Sequence, residues 1–241
     1  MTIFDDLSAE QDRLAQILSG LTDAQWLSES GASGWTVSDV VLHLAQSEEG
    51  VVTAAAGGTG LTGTAGADVD DWAAAMVAAE RAAPAVVFAR WQRARAEALA
   101  ALRAAPAAEP LQWVVTAMKP ATLATTRLAE HWAHGLDITG PLGIGFPDTA
   151  RLRHIAWLAT RTLPYALART GASAGPVRVS LTSPDGDDRW SFGPDDAASV
   201  ISGPAGAFCR VAAQRLAPAA SGLTVSGPDA ATALTVIRTY A

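Results

Sequence analysis

The sequence predicts an α plus α+β protein, with a bundle of helices over residues 1–172 followed by a small α+β domain over residues 173–241. Alanine, the strongest helix former, supplies much of the 49% hydrophobic content, so the chain reads as helix-rich. Through the first domain, apolar side chains recur at three- and four-residue intervals. After GASAGP the pattern changes: VRVSLTS alternates apolar and polar residues, PDGDD is a turn, and RWSFG resumes an extended pattern, together a hairpin signal.

Taken in order, Phe4, Leu7, Leu14, Leu18 and Leu21 form the stripe of a first helix that ends near Gly20. Thr22 and Gln25 then have the spacing of a capping box. A second helix begins in GWTVSDVVLHLAQSEEG, where Thr36 can cap the free amides. Val37, Val40, Val41 and Leu44 are its buried stripe, with His43 on the edge. Residues 57–67, GGTGLTGTAGA, suit neither helix nor strand and are expected to form a mobile loop. They lack the GK[ST] ending and the preceding strand of a phosphate-binding loop.

Helical periodicity resumes from Asp70 to Arg103, carrying Trp72, Met76, Val87, Trp91, Leu99 and Leu102, with Pro84 as a kink or a restart. Pro120 can open the next helix, through TLATTRLAEHWAHGLDI, which should stop before Gly140 and Pro141. A helix from Asp148 to Ala168 is expected to pack against the bundle, its end disturbed by Pro164. In the tail, ASVIS reads as a third strand, GPAGAFCRVAAQRL as a helix, GLTVS as a strand and PDAATALTVIRTY as a closing helix. The cleft between the two domains is the expected ligand site.

Several functions are disfavoured. A formal charge of −7 with no basic stripe argues against nucleic acid and points to a small-molecule partner. No apolar run reaches membrane-spanning length, and the acidic start MTIFDDLSAEQDR does not resemble a secretory signal, so a cytoplasmic location is expected. The single cysteine, Cys209, excludes an internal disulfide and a multi-cysteine zinc knuckle. It is expected to be an inert buried thiol.

Histidine and carboxylate remain as metal ligands. Glu130 and His134 are four residues apart, which on a helix stacks them on one face within reach of one ion. The same spacing also fits an ordinary i,i+4 contact, or a solvated Glu130 paired with Arg127. A third ligand has to come from elsewhere, and His43 can point inward from the second helix, although a lone histidine there also fits a hydrogen-bonded core residue. Two imidazoles and a carboxylate suit zinc best, with iron, manganese or nickel as alternatives. His131 points about 100° away from Glu130 on the helical wheel and is assigned as a neighbouring or substrate-side group. Asp137 can accept the free ring N–H of His134 and fix its tautomer. Trp35, Trp113 and Trp132 are core or cleft-wall aromatics.

GWTVSDVVLHLAQ, RLAEHWAHGLDI, RHIAWLATRTLPYAL and ISGPAGAFCRVAAQRL resemble motifs of the DinB-like metal-binding family, in the actinobacterial branch around mycothiol-dependent maleylpyruvate isomerase. The resemblance covers nearly the whole chain. It implies a DinB-like four-helix bundle, a C-terminal domain similar to sterol-carrier folds, and His43, Glu130 and His134 as the ligands of zinc or another divalent metal. It also implies an isomerase or S-transferase in which the metal activates the thiol of mycothiol toward a small electrophile, with Arg215 a candidate for binding a substrate carboxylate. The glycine-rich stretch and Lys119-Pro120 depart from the family pattern and imply an altered substrate. Two other classes stay open: a thiol-independent lyase, hydrolase or cyclase, and a non-catalytic binding protein whose metal sphere is closed by protein side chains.

Overall fold

The computed structural model describes residues 2–59, 61, 69–114 and 116–239. The chain divides into two compact units, Met1–Phe146 and Pro147–Ala241.

The first unit is helical: α1 (Ile3–Ser19), the single turn α2 (Asp23–Trp26), α3 (Val37–Ala55), α4 (Val69–Ala79), α5 (Pro84–Ala104) and α6 (Pro120–Thr139). Three starts are set by capping boxes, Thr2 with Asp5, Thr22 with Gln25 and Thr36 with Asp39, in which each threonine and its partner satisfy one another's free amides. Two more starts carry proline in the first turn, Pro84 and Pro120, where no amide hydrogen is needed. The long helices α1, α3, α5 and α6 pack on one another. Leu14, Leu18, Val40, Val41, Leu44, Trp91 and Ile138 belong to one core cluster.

The helical periodicity from Asp70 to Arg103 resolves into two helices, with residues 80–83 between them and Pro84 acting as a restart. Of the glycine-rich stretch, residues 57–59 and 61 follow the end of α3, and Leu61 fills the space beside Gly50, where a Cβ would lie 2.6 Å from Leu61 Cγ. The remaining part of that expected loop lies outside the described residues.

The second unit contains α7 (Leu152–Thr170), β1 (Val177–Thr182), β2 (Arg189–Phe192), β3 (Ser199–Pro204), α8 (Ala205–Ala212), the 3-10 turn Pro218–Ala220, β4 (Thr224–Ser226) and α9 (Ala230–Val236). The sheet order is β2-β1-β3-β4, with β1 and β3 parallel and both outer pairs antiparallel. Val177, Val179 and Leu181 alternate into the core from β1. The helix expected from Asp148 starts at Leu152, and Pro164 sits inside it instead of at its end. It closes on Gly171 in the left-handed conformation, at φ 68°. It packs on α8, α9 and β2, within the unit that contains the sheet, where the sequence had assigned it to the bundle. Its apolar stripe could report burial but not the partner. Among the described residues no helix is long and apolar enough to cross a membrane.

Candidate metal centre

Two neighbouring helices of the first unit supply the candidate ligands. The Thr36–Asp39 box starts α3 and sets the phase that places His43 on the side of the helix facing α6. On α6, Glu130 and His134 occupy successive turns of one face. Glu130 Oε2 lies 3.7 Å from His43 Nε2 and 3.5 Å from His134 Nε2. One donor atom from each of the three residues lies within 4.8 Å of the other two, so the set could hold a metal ion. The side chains retain 18% (His43), 25% (Glu130) and 11% (His134) of their surface, so the cluster is reached from solvent.

The surroundings suit a cation. Asp137 Oδ2 accepts from His134 Nδ1 at 2.9 Å, which places a proton on Nδ1 and makes Nε2, on the Glu130 side, the nitrogen that would meet a metal. Asp137 is itself fixed, because Gly31 N–H donates to its carbonyl at 2.7 Å and a Cβ on Gly31 would lie 3.0 Å from its Cα. Burial opposes ionisation of Glu130, but its contacts with His134 and His43 outweigh that and hold the carboxyl well below its usual range. Burial lowers the pKa of His43, only partly offset by Glu130, so it favours the neutral form in which it can ligate. For His134, burial is outweighed by the bonds to Asp137 and Glu130, and the pKa rises. Trp35 walls the site, with its ring centroid 5.1 Å from that of His43 and 6.4 Å from that of His134.

His131 turns inward and is fully buried. Its Nδ1–H donates to the Arg127 carbonyl at 2.8 Å, and its Nε2 accepts from Trp91 Nε1–H at 3.2 Å. Burial, reinforced by the Arg127 charge, pushes its pKa down to about 3. Both nitrogens are thus engaged away from the triad. Arg127 donates to Glu48 Oε1 at 3.0 Å in a buried pair under the Trp113 ring, instead of pairing with Glu130. Glu48 was missed by sequence reasoning because it stands in the polar run QSEEG, which reads as a solvated face. Arg215 belongs to the other unit, where its Nη1 donates to the Ala213 carbonyl at 2.6 Å. Cys209 is buried in that unit, with its thiol directed at the Leu152 carbonyl and its pKa pushed up by burial.

Residues 7–139, more than half of the chain, match the family model described as the mycothiol maleylpyruvate isomerase N-terminal domain. The chain belongs to that family. Two uncharacterized proteins from two strains of Mycobacterium tuberculosis are each 36% identical to it over 245 residues, covering 98% of this chain and 94% of their own length. Crystal structures of the mycothiol-dependent maleylpyruvate isomerase and of a histidine-to-alanine variant share the fold of this family member. They have TM-scores of 0.62 and 0.63, 18% identity, and coverage of 94% of this chain and 95% of theirs. The motif resemblance to maleylpyruvate isomerases is borne out. So is the coarse fold, a helical N-terminal region followed by a four-stranded mixed sheet with helices.

Proposed function

We propose that this protein is a metal-dependent enzyme that uses a low-molecular-weight thiol, mycothiol, to isomerise or S-transfer a small electrophilic substrate. The fold fits a DinB-like four-helix bundle with a sterol-carrier-like C-terminal domain. The observation that carries the proposal is the convergence of His43, Glu130 and His134 on one point reached from solvent.

Bound there, a divalent metal, zinc by the chemistry of the donor set, supplies a Lewis-acidic centre that makes a thiol acidic enough to react near neutral pH. Glu130 contributes the negative charge that holds the cation, and His43 and His134 supply neutral nitrogen donors. Asp137 keeps the His134 lone pair aimed at the ion. Trp35 packs against both imidazoles. The two nitrogens of His131 are bonded elsewhere, so it would not close the coordination sphere of an ion held by the three donors, which favours catalysis over a closed structural site. Belonging to a family described by a mycothiol-dependent isomerase supports the thiol as cosubstrate and a small molecule as substrate.

Elemental analysis of the wild type and His43→Ala, paired with turnover of maleylpyruvate and other activated alkenes with and without mycothiol, tests the proposal. About one zinc per chain, lost in the variant, and turnover that requires thiol are expected. Stoichiometric zinc in His43→Ala, or turnover indifferent to thiol, would overturn it.

A further inference from the structure

We propose that a cleft beside Trp35 binds the polyhydroxylated, sugar-like part of the thiol cosubstrate; the assignment to that cosubstrate rests on the reading above. The cleft, of about 480 Å³, lies where α3 begins and is lined by Leu27, Glu29, Trp35, Ser38, Asp39 and Arg81, among others. Its volume falls in the roughly 300–1,000 Å³ range of small-molecule sites. Trp35 is common to the cleft and the triad, since its indole packs on both imidazoles. Trp35 thus links the cleft to the surroundings of the triad.

The lining selects the ligand class. An indole and Leu27 offer apolar surface to the C–H faces of a ring, while a few polar groups around them fix orientation. Arg81 is held in a two-point bond to Asp39, Nε at 2.8 Å and Nη2 at 3.0 Å, yet its side chain is 57% exposed, so the guanidinium is positioned with donors left over. The Asp39 carboxylate is already engaged by Arg81 and Thr36. Glu29 is exposed and makes no side-chain ion pair or hydrogen bond among the described residues, which leaves its oxygens as acceptors for hydroxyl groups. Ser38 adds a hydroxyl. With Glu29 and Asp39 against a single Arg81, the cleft carries an excess negative charge, which disfavours an anionic ligand and favours a neutral polyol.

Calorimetry on the full-length zinc-loaded protein tests this with four probes: mycothiol, its thiol-free moiety as the neutral N-acetylglucosaminyl-inositol, N-acetylcysteine and malate. The wild type is compared with the double variant Glu29→Ala/Arg81→Ala. Mycothiol should bind the wild type at least about tenfold more tightly than N-acetylcysteine, and the thiol-free moiety should bind by itself. The double variant should lose that advantage while keeping its zinc content and its affinity for N-acetylcysteine, with only a modest fall in melting temperature from loss of the Arg81–Asp39 bond. Unchanged mycothiol binding in the variant, no binding of the thiol-free moiety, or its displacement by malate would overturn the cleft assignment while leaving the thiol reading standing. Binding of the sugar moiety without binding of either thiol would support a polyol site and overturn the thiol reading instead.

Discussion

The bond from His134 Nδ1 to Asp137, 2.9 Å long, decides which ring nitrogen can meet a metal. Asp137→Asn keeps the shape but removes the charge that favours the proton on Nδ1, so the ring samples the tautomer that cannot ligate through Nε2. Zinc affinity is expected to fall about 10–100-fold, with melting temperature of the metal-free protein little changed, measured by competition against a chromophoric chelator. An unchanged affinity would remove Asp137 from the site. The Asp137 contact was legible from i,i+3 spacing, as was the pairing of Glu130 with His134. His43 was not, because nothing local ties residue 43 to residue 130, and a motif resemblance had to recruit it. The roles of Glu48 and Arg127 were illegible for a related reason: their pairing spans two helices and runs through the core, where a charge is tolerated only because its partner is there.

Helices were the most legible elements, since each is announced by its own stripe and its own cap. Thr36 and Asp39 lie at the first turn of the helix that presents His43, and Arg81 closes the arrangement from outside that helix. Burial opposes ionisation of Asp39, but its bonds from Arg81 and Thr36 prevail and lower its pKa. The stability it contributes is therefore complete above its unfolded value, about 3.9, and is lost as pH falls through the depressed folded value. Asp39→Asn should cost up to about 1 kcal/mol at pH 7 in urea titrations, and the gap from wild type should close toward pH 2. A gap that widened in acid would contradict the assignment. Gly135, one residue beyond His134, sets helix propensity against packing. Alanine would gain roughly 1 kcal/mol in an open helix, but here its Cβ would lie 2.5 Å from the Phe146 ring, over which Arg13 is stacked. Overpacking costs about 1–3 kcal/mol, so Gly135→Ala should destabilise; a higher melting temperature would show that the ring yields. Strands were legible from alternation and turns, but not the parallel pairing of β1 with β3, which skips the intervening hairpin partner and leaves no local signal.

At the scale of the molecule, two compact units divide the chain at residues 146 and 147, and all three candidate ligands belong to the first. The expected boundary fell later because α7 carries an apolar stripe like those of the bundle helices, and a stripe records burial without naming what covers it. The placement of the ligands has a thermodynamic consequence. His43 on α3 and Glu130 and His134 on α6 come together only when the helices are packed, so an ion that binds all three binds the folded unit and not the unfolded chain. Free zinc at about 100 times its dissociation constant should then add roughly 2.7 kcal/mol to folding. For a chain of this length that is a rise of about 5–10 °C in melting temperature over the chelator-treated protein. His43→Ala should melt at one temperature whether or not chelator is present, because the two ligands left on α6 are local to one helix and no longer link it to α3. Equal melting of wild-type protein with zinc and with chelator would mean that the three side chains, close as they are, do not act together on an ion.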